Sequence, residues 1–186
     1  MPALPIFYST RDGHSRRIAQ RIASRLTAAG ADAEAVNVAP CPPLPETLCE
    51  LPIFVLVAAV RYGRHMRDAE RALTVYAGLE QKPRLALASV NLTARKPHKR
   101  TQQTNPYLRK WIGRRKLSPD LAVAIAGRLD YPRYGVFDRL AIQFIMTLTG
   151  GETDPTAQIE YTDWNSVDMF ADAIRDRAGA MLAASR

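Results

Sequence analysis

Ser9-Thr10-Arg11-Asp12-Gly13-His14-Ser15 is the turn on which the fold is decided. The apolar run Leu4-Pro5-Ile6-Phe7-Tyr8 leads into it. Ile18, Ile22 and Leu26, with Ala19 and Ala23, follow at helical spacing, so a strand hands over to a helix that starts near His14. The first turn of that helix leaves backbone N–H groups without partners, and its dipole places roughly half a positive charge there. Gly13 can take positive φ and lets the backbone approach a ligand closely. Hydroxyls at Ser9, Thr10 and Ser15 and the charge of Arg11 complete a turn suited to a phosphate monoester. Taken alone, the turn is equally an ordinary strand-to-helix connection with an N-cap serine. The rest of the chain favours the anion site.

Outward from that turn, strands and helices alternate. Gly30 stops the first helix and residues 33–38 read as a second strand. Pro40, Pro42, Pro43 and Pro45 stiffen the next connection, with one helical turn near 46–50. Ile53-Phe54-Val55-Leu56-Val57-Ala58-Ala59 is continuously apolar and rich in β-branched residues, as a strand covered on both faces should be. A helix over 66–78, strands over 84–90 and 121–126, and a last helix over 165–184 complete the pattern. That last helix buries Val167, Phe170, Ala171, Ile174, Ala178 and Leu182. The alternation predicts an α/β fold, a doubly wound five-stranded parallel sheet in the order 2-1-3-4-5. Ligands of such sheets bind beyond the carboxyl ends of the strands where the order reverses. The first loop lacks G-x-G-x-x-G and the second strand ends without an acid for a ribose, so a mononucleotide fits better than a dinucleotide. The facing loops are Ala59-Val60-Arg61-Tyr62-Gly63, where Tyr62 offers a flat surface to a ring system, and Ser89-Val90-Asn91-Leu92-Thr93, which adds polar groups.

At 186 residues and 47% hydrophobic content the chain reads as a single domain, 1–186, with a substantial core. Its net charge of +8 points to anionic partners. Between Glu80 and Asp120 there is no acidic residue and the segment carries +11, leaving about −3 for the remainder. This basic insert, about 93–118, contains Tyr107, Leu108, Trp111 and Ile112 at helical spacing among cations. Such a helix suits an anionic bilayer or the carboxylates of a substrate. A solvated face and a nucleic-acid contact are the other readings, and no nucleic acid is expected. A second addition, about 136–149, is apolar on nearly every side and too short to span a membrane; it is either buried or presented to lipid, quinone or substrate. No secretory leader or transmembrane segment is expected. Cys41 and Cys49 lack metal or redox spacing and are expected as free thiols.

The chain resembles the flavodoxin-like, menaquinone-dependent protoporphyrinogen IX dehydrogenases of bacteria, which serve haem synthesis without oxygen. The stretches that carry the resemblance are 7–13, Arg61-Tyr62-Gly63, Ser89-Val90-Asn91-Leu92 running into Ala94-Arg95-Lys96-Pro97, Lys99-Arg100-Thr101 and Gln103-Thr104-Asn105. Further on they are Ala126-Gly127, Tyr131-Pro132-Arg133-Tyr134, 150–154 and Tyr161-Thr162-Asp163-Trp164. They run through most of the chain. The resemblance implies FMN as cofactor, with its phosphate on Ser9, Thr10, Arg11, Asp12, Gly13, His14 and Ser15. Its ring would lie against Ala59–Gly63 and Ser89–Thr93. Asp12 stands where ordinary flavodoxins carry a hydroxyl, and it is expected to cap the helix or pair with Arg11, facing away from the phosphate.

The resemblance also implies protoporphyrinogen IX as substrate, with menaquinone or ubiquinone as acceptor. Substrate or membrane contact would fall to Arg95, Lys96, Lys99, Arg100, Arg109, Lys110 and Trp111. The enzyme would sit peripherally on the cytoplasmic face of the inner membrane. The catalytic residue is unknown: the flavin carries the chemistry, and His65 is the histidine closest to the expected ring. A flavodoxin-type quinone or NAD(P)H oxidoreductase, an electron carrier, and an FMN-free membrane- or RNA-binding module are the alternatives.

Overall fold

Side chains along a strand alternate between the two faces of its sheet, and the central strand shows what that requires. In the computed structural model, which describes residues 3–133, 135, 139–140, 142–143, 146–147 and 150–184, this strand is β3 (Ile53–Arg61). Ile53, Val55 and Val57 enter one core, while Phe54, Leu56 and Ala58 enter the other. β5 (Arg84–Val90) repeats the division: Ala86, Ala88 and Val90 on one side, Leu85 and Leu87 on the other. No polar face is left, which is why these runs carry no alternation.

The first core is covered by α1 (His14–Ala28) and α5 (Trp164–Ala184). From α5 it receives Val167, Phe170, Ala171, Ile174 and Ala178; the Leu182 side chain lies outside the described set. The second is covered by α3 (Arg67–Gly78) and α4 (Pro106–Arg115), with Leu48 added from the short α2 (Pro45–Cys49). The remaining strands of the main sheet are β1 (Leu4–Ser9), β2 (Ala33–Asn37), the two-residue β4 (Arg64–His65) and β6 (Leu121–Ile125).

The five parallel strands run in the order β2-β1-β3-β5-β6, which is the order 2-1-3-4-5 once β4, an antiparallel addition to β3, is set aside. Register brings Ser9 beside Ala58 and Ala58 beside Ser89. The loops after β1, β3 and β5 therefore leave the sheet at one height, around the point where the chain reverses direction across the sheet.

Two features are additions to the expected pattern. β7 (Arg128–Asp130) and β8 (Gln158–Glu160) form an antiparallel ribbon, with Leu129 opposite Ile159. Beneath it Leu129, Tyr131 and Met146 form a third, small core. Within the apolar segment 136–149, positions 136–138, 141, 144–145 and 148–149 lie outside the described residues, as does Tyr134. Arg139, Leu140, Ile142, Gln143, Met146 and Thr147 are helical. Met146 is buried, Ile142 half-buried and Leu140 exposed. Among the described residues no helix is long and apolar enough to cross a membrane. Cys41 and Cys49 are both exposed free thiols.

The basic insert is stitched into this frame. The backbone N–H of Ala124 donates to the Arg100 carbonyl at 2.8 Å. Arg115 Nε donates to Glu70 of α3 at 2.8 Å, and Arg114 also pairs with Glu70. Leu108, Trp111 and Ile112 point into the second core. The apolar stripe of α4 therefore faces the sheet, and the basic amphipathic helix expected to lay that stripe on lipid has only its polar side to offer.

Candidate functional site

The loops after β1, β3 and β5 enclose a cleft. Its lining includes Thr10, Arg11, Asp12, His14 and Ser15 from the first, Ala59 through Gly63 from the second, and Val90 through Thr93 with Arg95 from the third. Sequences far apart in the chain meet here because the parallel register aligns their strand ends.

At one end of the cleft is the start of α1. Gly13 turns the backbone with φ 83, and Thr10 Oγ1 accepts from the Gly13 N–H at 3.0 Å. The first turn of α1 carries no acidic residue, although an acid is what the helix dipole ordinarily attracts there. Ser15 Oγ is buried and has no hydrogen-bond partner. His14 Nε2 lies 2.6 Å from Thr162 Oγ1, whose own proton goes to the Ala126 carbonyl at 2.8 Å. The threonine must therefore accept, the imidazole carries its proton on Nε2, and Nδ1 is left buried without a partner. Burial holds this histidine below its ordinary pKa, against the pull of Glu160. Buried polar atoms normally have partners; the Ser15 hydroxyl, an orphan donor beside a positive helix end, fits a ligand with an anionic oxygen, whereas the bare His14 Nδ1 can only accept. Among the described residues, Arg11, Arg61, Arg95 and Arg128 line the cleft together with the carboxylate of Asp12.

Facing the 10–15 turn is the hairpin joining β3 to β4. Arg61 pairs with Arg64, so Tyr62 and Gly63 are its two turn residues, with φ of 48 and 73. Both central positions of a type I′ turn need positive φ, which Asn-Gly supplies cheaply. An aromatic residue there carries strain of the kind kept at functional sites. Tyr62 is 70% exposed, a flat ring held at the mouth of the cleft.

A model of the flavodoxin domain matches residues 5–156. The protoporphyrinogen IX dehydrogenase [quinone] of Escherichia coli (strain K12) is 41% identical over 167 residues, covering 89% of this chain and 91% of that protein. The chain belongs to the flavodoxin-like protoporphyrinogen IX dehydrogenases. A Leishmania major protein of the same name is 41% identical over 175 residues, covering 91% of this chain and 73% of its own. Among solved structures, the rubredoxin oxygen:oxidoreductase of Desulfovibrio gigas superposes with a TM-score of 0.59 at 11% identity. It covers 97% of this chain, which spans 37% of that protein's length, and the likeness speaks for the fold alone. As a member of the protoporphyrinogen IX dehydrogenase family the chain is an oxidoreductase, and the flavodoxin fold implies a flavin.

Not every residue singled out in the sequence faces the cleft of this dehydrogenase. Ser9 is fully buried and donates to Asp68 Oδ2 at 3.0 Å, an acid of α3 that no local pattern announces. Ser89 is fully buried beneath the ring-side loop, 2.8 Å from His65 Nε2. Gly13 shapes the loop without lining the cleft. Asp12 neither pairs with Arg11 nor turns away: it lines the cleft and accepts from Arg61 Nη1 at 3.1 Å. Adjacent parallel strands bring the Arg61 loop opposite it, a partner that sequence distance conceals.

His65 stacks on Trp111 with ring centroids 3.7 Å apart, on the core side of the sheet end. Burial, with Arg114 adding to it, pushes its imidazole down to about 3. It is thus neutral at physiological pH and away from the cleft. Arg100 is committed to Asp163 at 2.7 Å and to the Ala94 carbonyl at 3.2 Å, and Trp111 is only 1% exposed. These two assigned contact residues are structural because the insert packs onto the core. Arg109 and Lys110 are exposed, Lys96 and Lys99 are both half-buried, and Arg95 lines the cleft. Tyr107, Gly127, Arg128, Ile142 and Met146 also line it. The sequence marks Tyr107 as part of the insert helix, Gly127 within a stretch of the family resemblance, and Ile142 and Met146 as part of an apolar segment either buried or presented to lipid, quinone or substrate; Arg128 carries no signal.

The neutral, buried His65 makes the fold acid-labile. Above pH 6.5 folded and unfolded chains hold this ring in the same state. Below it the unfolded chain takes a proton that the fold refuses, until the pH nears 3. Stability is therefore expected to fall by up to about 1.4 kcal/mol per pH unit across that window. Denaturant midpoints between pH 7 and 4, with an NMR titration of the His65 ring, check this; a ring titrating near 6.5 would contradict it.

Proposed function

We propose that the cleft holds FMN and that the protein oxidises protoporphyrinogen IX to protoporphyrin IX, passing electrons to a membrane quinone, menaquinone or ubiquinone. The observation that carries the reading is the buried, partnerless Ser15 Oγ at the positive end of α1, in a cleft whose described lining includes four arginines and the Asp12 carboxylate. On this reading Thr10, Ser15, Arg11 and the backbone of the 10–15 turn hold the phosphate. Ala59–Gly63 and Val90–Thr93 flank the ring, and Tyr62 covers its exposed edge. Bound there, FMN supplies hydride acceptance and onward delivery of electrons, which no side chain can.

The rest is binding and orientation by this chain. Arg95, at the cleft edge, is placed to take a propionate of the substrate, for which a planar guanidinium is the suitable partner. Arg109, Lys110, Lys96 and Lys99 would face an anionic membrane at the cytoplasmic side. Because α4 buries its apolar stripe, that attachment is electrostatic, at about 1 kcal/mol per cation near the surface.

Anaerobic turnover of protoporphyrinogen IX by FMN-loaded protein, with menaquinone supplied in anionic vesicles, tests the whole. Porphyrin fluorescence should appear with quinone and not without it. Oxidation of NADH in place of porphyrinogen would favour a general quinone oxidoreductase, and protein that takes up no FMN would remove the reading.

Ser15→Ala separates the phosphate site from the fold. A buried hydroxyl without a partner costs free energy in the empty protein, so the variant should be as stable as the parent or slightly more so. A hydrogen bond to a charged group contributes ~1.5–3 kcal/mol, and FMN affinity should fall about tenfold or more. Thermal midpoints and quenching of flavin fluorescence on titration give the two readings.

A further inference from the structure

The ring-side loop after β5 and the start of α4 are joined by two buried amides. Asn105 is fully enclosed and Asn91 nearly so. Asn105 Nδ2 donates to Asn91 Oδ1 at 3.1 Å and to the Lys99 carbonyl at 2.9 Å. Its Oδ1 accepts from the backbone N–H groups of Tyr107 and Leu108 at 3.2 and 3.1 Å, capping α4. Asn91 Oδ1 also accepts from the Ala94 N–H at 3.2 Å, which closes the turn Leu92–Arg95. Asn91 Nδ2 donates to the Ser89 carbonyl and to Ser89 Oγ at 3.2 and 3.1 Å. Each amide is satisfied at both ends, and each shapes a different backbone segment. One of those segments lines the cleft through Asn91, Leu92 and Thr93; the other begins the helix that carries the insert's cations.

We propose that Asn105 is a positioning residue for the flavin, locking the ring-side loop to α4 so that the basic insert is a structural part of the ring site. The inference rests on the cleft being the flavin site. It gives the insert a task beyond charge: a displacement of α4 is passed through one amide pair to the backbone beside the ring. Fully satisfied buried networks of this kind specify a single arrangement, because any alternative leaves a polar atom unpaired.

The test uses the full chain and two flavins that differ only at the phosphate. Asn105→Asp keeps an oxygen for the Tyr107 and Leu108 N–H groups but places acceptors, not donors, opposite Asn91 Oδ1 and the Lys99 carbonyl. Affinity for FMN and for riboflavin should fall together, about tenfold each, and the flavin midpoint potential should move. Ser15→Ala, by contrast, should weaken FMN and leave riboflavin unchanged.

Hydrogen exchange on the parent protein gives a second measurement that does not depend on the variant folding. Adding FMN should raise protection at 92–95 and, away from the cleft lining, at the Leu108 N–H that Asn105 caps. Unchanged flavin affinities and potential in Asn105→Asp, or protection confined to 92–95, would overturn the coupling while leaving the flavin site in place. A parent that binds neither flavin would overturn both.

Discussion

Gly13→Val should lower FMN affinity about a hundredfold or more while costing the empty protein little beyond local strain. At φ 83 a residue with a branched Cβ is held in a conformation it rarely adopts, at a cost of ~1–3 kcal/mol. A Cβ at this position would meet nothing within 4 Å, so the added Cβ introduces no clash of its own. Relief comes from the loop itself, which can shed the strain only by moving φ and with it the N–H groups of the 10–15 turn. Losing two charge-assisted hydrogen bonds to the phosphate, at ~1.5–3 kcal/mol each, accounts for the hundredfold change.

Gly30 supplies the control. It has φ 89, lies beyond the far end of α1 and likewise has open space around its missing side chain. Gly30→Val should match the loss of thermal stability and leave the flavin titration unchanged. Equal flavin affinity in the two variants would show that the phosphate is held elsewhere.

Trp111→Ala should destabilise the fold by about 3–5 kcal/mol, the cost of emptying a large aromatic site in a core. That is a large part of the ~5–15 kcal/mol by which domains are ordinarily stable. The indole is 1% exposed, stacked on His65 and surrounded by the second core. Trp111→Phe should be far milder. It keeps most of the stack and removes an indole N–H that is buried without a partner, so part of the lost packing is offset. Urea midpoints on both variants decide. A near-native midpoint for Trp111→Ala, joined to loss of vesicle binding, would restore this side chain to the membrane face.

The contrast between Trp111 and the first strands shows what a sequence discloses. Continuous apolar runs at 53–59 and 84–90 have one physical reading, strands covered on both sides, and the structure has them as β3 and β5. The start of α1 was legible because Gly13 and the periodicity of Ile18, Ile22 and Leu26 speak locally. Trp111 was not, since an apolar stripe at helical spacing reports that a helix is amphipathic, not what its apolar side meets.

Asp12 fails for the same reason: nothing near it in the chain announces Arg61, which arrives through strand register. β4 and the β7–β8 ribbon were missed because strands of two or three residues leave no periodic trace. The cleft was visible as three loops. Its fourth side, with Arg128, Ile142 and Met146, comes from an excursion whose place is set only by tertiary packing.

The covering of the first core by both α1 and α5 has a consequence for biosynthesis. As the chain leaves the ribosome, β1, α1 and β3 emerge long before Phe170 and Ile174 exist to close over them. Until α5 is made, the part of that sheet face which α1 leaves uncovered shows bare hydrocarbon to water, the state in which nascent chains aggregate or recruit chaperones. The arginine ladder on α1, with Arg17, Arg21 and Arg25 waiting for Glu160, Asp168 and Asp172, keeps that unfinished flank cationic. It also marks where the late helix must land, so translation halted before codon 164 should leave an insoluble product.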